Sequence, residues 1–149
     1  MDIQQLTLVI TDADLTKLAS EHIQKRKHPV DNVKVAIKPE GVTVTGEVSL
    51  FMPVKFETLW ELSVADGKPQ VRLVKVKAFG MGGSLFKSAL EKIVEEAVKK
   101  EPGLEYQDGT ILVDIPTLAA QEGLDVQIHV QTIRCDAGSL TVVAMPPPK

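Results

Sequence analysis

From residue 42 to residue 64 the even-numbered positions are apolar almost without a break: Val42, Val44, Val48, Leu50, Met52, Val54, Phe56, Trp60, Leu62 and Val64. Period two is the mark of a strand with one buried face. A single straight strand of this length would reach roughly 76 Å at about 3.3 Å per residue. A compact domain of this size is only about 38 Å across, from a radius of gyration near 15 Å. The run must therefore bend sharply or double back as a hairpin. Met52-Pro53 is the place for it, because proline has no N–H to give to a central ladder.

Strand signals continue on both sides. Val33, Val35 and Ile37 alternate with polar residues and end at Pro39-Glu40-Gly41. Asp66-Gly67-Lys68-Pro69 is a turn, and Val71, Leu73, Val74, Val76 and Ala78 follow it. Their apolar phase slips between Leu73 and Val74, which predicts a β-bulge. Residues 3 to 10 suit a first strand. After residue 103, a linker over 104–107 leads to a turn at Asp108-Gly109 and a strand over 110–115. Pro116 then starts a short helix that Gly123 ends. Two last strands carry Val126, Ile128, Val130 and then Leu140, Val142, Ala144. The order strand, helix, strand, turn, strand occurs both at the start and after residue 109, which suggests a weak internal duplication. Pro146-Pro147-Pro148-Lys149 is an extended tail beyond a single domain over 1–145.

Two stretches read as substantial helices. Thr11 caps the first and Asp14 stands three residues on, where it completes a capping box. Leu15, Leu18, Ala19, His22 and Ile23 mark its apolar face, and Lys25-Arg26-Lys27-His28 ends it before Pro29. The second runs from 84 to 100, after Gly80-Met81-Gly82-Gly83 and before Pro102-Gly103. Leu85, Phe86, Ala89, Leu90, Ile93, Val94, Ala97 and Val98 cover an arc of roughly 220° at about 100° per residue. A stripe that wide asks for a concave partner. The expected fold is α+β: one highly curved antiparallel sheet wrapped around one long amphipathic helix, with a second helix near the N-terminus.

Composition removes several function classes. Aromatic residues are 4% of the chain, too few for stacking platforms on single-stranded nucleic acid. The net charge of −3 gives no bulk attraction to nucleic acid. The lone Cys135 can make no internal disulfide and has no metal-ligand spacing. His22, His28 and His129 are too scattered for a metal site. Asp12 and Asp14 read as helix-start residues, and no Ser stands at a motif distance from a His. The expectation is a non-enzyme with no cofactor and no metal. No run of about 18 apolar residues spans a bilayer. Met1 to Gln5 shows no signal-peptide pattern, so a full-length chain of this sequence would be cytoplasmic.

The residues that carry chemistry of another kind are apolar. Phe56, Trp60, Phe79, Met81, Leu85, Phe86, Leu90 and Ile93 are placed to line a groove between helix and sheet. Met and Phe adapt well to irregular apolar ligands. Lys25, Arg26 and Lys27 complement a helix C-terminus and could also meet an anionic head group. Gly83 and Ser84 open the second helix, where backbone amides favour an anion. The glycine spacing there fits neither the dinucleotide fingerprint nor a P-loop.

The order of elements resembles a known family. Leu-Thr-Leu-Val-Ile-Thr-Asp-Ala-Asp-Leu at 6–15, the Asp66-Gly67 hairpin, the glycine-rich step into a long helix, and Asp-Gly-Thr-Ile-Leu-Val-Asp-Ile at 108–115 are similar to the LmeA-like phospholipid-binding domains of bacteria, within the tubular lipid-binding (TULIP-like) superfamily. The resemblance covers most of residues 3–145. It implies a curved sheet around a long helix with lipid tails held between them, and it supplies no catalytic residues. Such proteins carry an export signal or membrane anchor, which is not visible here. The function expected is binding, or transfer, of a lipid or fatty-acyl ligand, with peripheral membrane contact. The alternative is a structural or protein-interaction module with a self-filled core, acting as a homodimer.

Overall fold

The computed structural model describes residues 5–26, 30–49, 53–79, 83–121 and 123–146. In chain order the elements are β1 (Leu6–Thr11), α1 (Asp12–Arg26), β2 (Val30–Lys38), β3 (Gly41–Ser49), β4 (Pro53–Ala65), β5 (Lys68–Phe79), α2 (Gly83–Lys99), β6 (Leu104–Gln107), β7 (Thr110–Val113), α3 (Ile115–Gln121), β8 (His129–Asp136) and β9 (Ser139–Met145). The strands form two antiparallel sheets, one of three strands in the order β1-β9-β8 and one of six in the order β2-β3-β4-β5-β7-β6.

This corrects the expected architecture. One curved sheet around one long helix does not form. Among the described residues, the strands divide between two sheets and the helical residues are shared among three short helices of 15, 17 and 7 residues. α2 is under five turns and about 26 Å long. It lies on one face of the six-stranded sheet, as an ordinary surface helix does. Phe86, Leu90 and Val98 are buried, whereas Ile93 and Val94 are half-buried. The arc of roughly 220° runs from Leu85 to Val98, and Ala89, Ile93, Val94 and Ala97 within it keep part of their surface exposed, so the stripe is covered without a concave partner. Lys87–Glu91 and Lys99–Glu95 ion pairs line the solvent side, at 4.0 and 2.9 Å.

The long apolar run behaves as its phase demands. β3 and β4 pair as a hairpin with Val42 opposite Trp60, Val44 opposite Thr58, Gly46 opposite Phe56 and Val48 opposite Val54. Opposed residues share a face, and each pair sums to an even number. The even positions therefore stay on one inner face through the reversal. Glu47 opposes Lys55, Glu57 opposes Lys77 and Glu61 opposes Arg72 on the outer face. Opposite charges at such positions stabilise a solvated surface. The phase slip in β5 is a register shift: Leu59 pairs with Lys75 and Trp60 with Leu73, leaving Val74 as the extra residue. Asp66-Gly67 and Asp108-Gly109 have positive φ at both positions, the two-residue turn that right-twisted hairpins prefer. The residues 104–107 expected as a linker are the edge strand β6. β8 starts at His129 rather than Val126. The two hairpins of the suggested duplication both form, but β1 pairs with β9 whereas β7 pairs with β5 and β6.

Among the described residues, two clusters make the core. Val48, Val54, Phe56, Phe86 and Leu90 pack beneath α2, with the Phe56 and Phe86 ring centroids 6.1 Å apart. Val35, Ile37, Val42 and Leu140 join the two sheets beside α1. The free edge of β2 is closed by side chains of α1. The Thr16 hydroxyl accepts from the Val35 N–H at 3.0 Å and donates to the Val35 carbonyl at 3.2 Å. The Asp12 carboxylate accepts from the Ile37 N–H at 2.7 Å. Gly138 N–H donates to the Ile37 carbonyl at 2.9 Å, and Asp12 N–H donates to Gly138 at 3.2 Å. One helix start thus ties both sheets together. The sequence pattern marks Asp12 only as a helix-start residue, and its bond to β2 comes from the fold. The capping box of Thr11 and Asp14 forms as expected, with bonds of 3.0 and 3.2 Å.

Candidate functional site

An apolar cavity of about 270 Å³ lies where the two core clusters meet. Its floor is the inner face of the six-stranded sheet, through Val44, Phe56, Thr58 and Trp60. α1 contributes Ala19 and Ile23. α2 contributes Leu90, Ile93, Val94, Ala97 and Val98 from its C-terminal half. Val30 and Val33 of β2 complete one wall, and Glu101 and Leu104 stand where the chain leaves α2.

The polar groups of the floor are already engaged. Thr58 donates to the Val44 carbonyl at 3.0 Å and accepts the Trp60 indole N–H at 2.8 Å. A wall that is hydrocarbon apart from these groups and the Glu101 carboxyl offers burial to an apolar molecule and little directional recognition.

The expected groove residues separate into distinct environments. Phe56, Trp60, Leu90 and Ile93 line this cavity. Phe86 is fully buried beneath α2 and fills the core. Phe79 is 60% exposed and borders a separate cleft with Asn32, Glu47, Lys55 and Glu57 at the far end of the sheet. Met81 and Lys27 lie outside the described residues. Lys25 and Arg26 fall in the last turn of α1, and Gly83, Ser84 and Leu85 in the first turn of α2, but their side chains lie outside what is described. Ala19, Ile23, Val94, Ala97 and Val98 were not singled out as site residues. Their i, i+3, i+4 spacing is the signal that could have found them, since it also marks the buried face of any helix.

Other chemistry finds little footing. No group of three or more His, Cys, Asp or Glu that could hold a metal ion occurs among the described residues. Cys135 is half-buried, and desolvation, with a smaller push from Asp136, raises its thiol above the usual range. That disfavours the thiolate a nucleophile requires. Burial and the nearby Glu91 and Glu95 likewise raise the Tyr106 phenol. No helix among the described residues is long and apolar enough to cross a membrane. No family model, no curated protein and no solved structure matches this chain.

Proposed function

We propose that this protein binds a lipid or another long apolar ligand without chemically changing it. The supporting observation is the hydrocarbon-lined cavity between α1, α2 and the six-stranded sheet. A dry apolar cavity of about 150 Å³ is enough to hold benzene. At roughly 30 Å³ for each methylene-sized group, the space here accommodates about nine such groups. A single acyl chain fits that measure, and a two-chain phospholipid would leave most of its tails outside. Burial of nine methylenes at about 0.8 kcal/mol each is worth about 7 kcal/mol, a ceiling near the micromolar range before ordering costs.

Organic extraction of the purified protein followed by mass spectrometry tests the reading directly. A near-stoichiometric single-chain lipid, or saturable uptake of a neutral fluorescent naphthylamine probe, is the expected result. Ala97→Trp places an indole in the cavity and should weaken probe uptake at least about tenfold. A stability measurement accompanies it, because overpacking can also unfold. A protein that yields no lipid and ignores the probe does not have this function. Nor does one in which a folded Ala97→Trp variant binds as the parent does.

A further inference from the structure

Among the described residues, the strand edges are closed or defended except at β1. β2 is plugged by Asp12 and Thr16. β8 is bulged between Val130 and Thr132 and carries Arg134 and Asp136. β6 has four residues and a Glu. The part of β5 beyond β7 holds Lys75 and Lys77 next to its bulge. Bulges, charges and short lengths are the usual means by which edges avoid pairing with another chain. β1 has none of these. It reads Leu-Thr-Leu-Val-Ile-Thr in unbroken register with β9, and Leu8 and Val9 are 46% and 62% exposed.

The direction of its backbone groups follows from two bonds at its end. Thr11 N–H turns away from β9 to the Asp14 carboxylate, whereas Asp12 N–H continues the ladder to Gly138. Even residues therefore face β9, and the N–H and C=O of Thr7 and Val9 point outward. We propose that this edge pairs antiparallel with the β1 edge of a second copy, about a two-fold axis through Leu8. Thr7 then exchanges both its backbone bonds with Val9 of the second copy, and Val9 with that copy's Thr7. Leu8 meets Leu8, and Leu6 meets Ile10. A register centred on Val9 would need the Thr11 N–H, which Asp14 already holds. The two-fold keeps the row of Leu6, Leu8 and Ile10 on one side of a continuous sheet, so the exposed Leu8 side chains cover each other.

The edge is complementary to itself, which is the ground for a second copy as its occupant. Residues 6 to 10 carry no charge, so self-pairing opposes no like charges, and a partner recognised by charge has nothing to read. Each copy carries a net charge of −3, so added salt should strengthen the association. Five paired residues span about 17 Å, a small contact beside a standard interface. The dimer is therefore reversible and concentration-dependent.

Single cysteines at positions 7, 8 and 9, in a Cys135→Ala background, test the register. A non-hydrogen-bonded antiparallel pair holds its Cα atoms about 4.5 Å apart, within disulfide range. Leu8→Cys should cross-link at least about fivefold faster than Thr7→Cys or Val9→Cys alone. Val9→Pro removes an N–H that points away from β9, so the fold should survive. Its sedimentation coefficient should lose the rise with concentration that the parent shows. Three results overturn the proposal: a parent that stays monomeric up to its solubility limit, cross-linking that is as fast at 7 or 9 as at 8, or a folded Val9→Pro variant that associates as the parent does.

Discussion

Replacing Thr16 by Val tests whether a helix side chain closes the β2 edge. The shapes match, so packing changes little, but the hydroxyl is lost. Its removal strands two backbone groups of Val35, the N–H bonded at 3.0 Å and the carbonyl at 3.2 Å. Val35 itself is 5% exposed and belongs to the core cluster that joins the two sheets. A buried group left without its partner costs about 1–3 kcal/mol. Water can reach part of this edge, because Thr16 is only half-buried, so about 2 kcal/mol is expected for the pair. In urea the midpoint should fall with the slope unchanged, since the surface exposed on unfolding is the same. On heating, the same loss lowers Tm by about 4–8 °C for a domain of this size. Thr16→Ser keeps the hydroxyl and should recover most of the difference. A Thr16→Val protein within about 0.5 kcal/mol of the parent would refute the plug, because that is the range of an ordinary surface substitution.

Three further outcomes are expected. Phe86→Ala should cost about 3–5 kcal/mol in urea unfolding, as full burial and the contact with Phe56 require, whereas Phe79→Ala should fall within about 0.5 kcal/mol. Gly67 has φ +75°, and a Cβ there would run into the His129 ring; Gly67→Ala should cost about 2–4 kcal/mol, with part recovered by adding His129→Ala in a double-mutant cycle. The Thr11 backbone N–H, with a smaller contribution from the Thr11 hydroxyl, holds the Asp14 carboxyl below its ordinary range. Its contribution is therefore present above the unfolded carboxyl pKa and lost as pH falls through the lower folded value. Asp14→Asn should flatten that acid limb of a stability profile and leave the neutral-to-basic limb parallel to the parent.

Local order was largely legible because it is written in adjacent residues. The phase of residues 42–64 implies a sharp bend or a hairpin, of which the hairpin forms; the slip at Leu73 and Val74 implies the bulge, and Thr11 with Asp14 the cap. Each depends on contacts a few residues apart or across one turn. The division into two sheets depends instead on β1 finding β9, some 130 residues away. Period two says that a strand has a buried face and says nothing about which strand lies beside it. The helix stripe misled for a related reason. The arc counts every apolar residue from Leu85 to Val98 equally, whereas Ala89, Ile93, Val94 and Ala97 remain partly exposed, so the width of the stripe overstates the surface it buries. Asp12 shows the opposite failure. Its polarity suits a helix start, and its second task, completing the edge of a sheet, needs the three-dimensional neighbour.

Two alanines help explain why there is a cavity at all. Phe86 and Leu90 press α2 onto one cluster, and Leu15 and Ala19 hold α1 against the other. Adjacent strands rotate by roughly 20–25°, so two helices seated on strands at opposite sides of β3 do not follow a common plane. The seam between them must be filled by long side chains or left as space. At that seam α1 presents Ala19 and α2 presents Ala97, and both line the cavity. Larger residues at these two positions would bury more hydrocarbon and join the clusters into one core. The cavity is therefore traced to two small side chains on separate helices and to the twist that parts them.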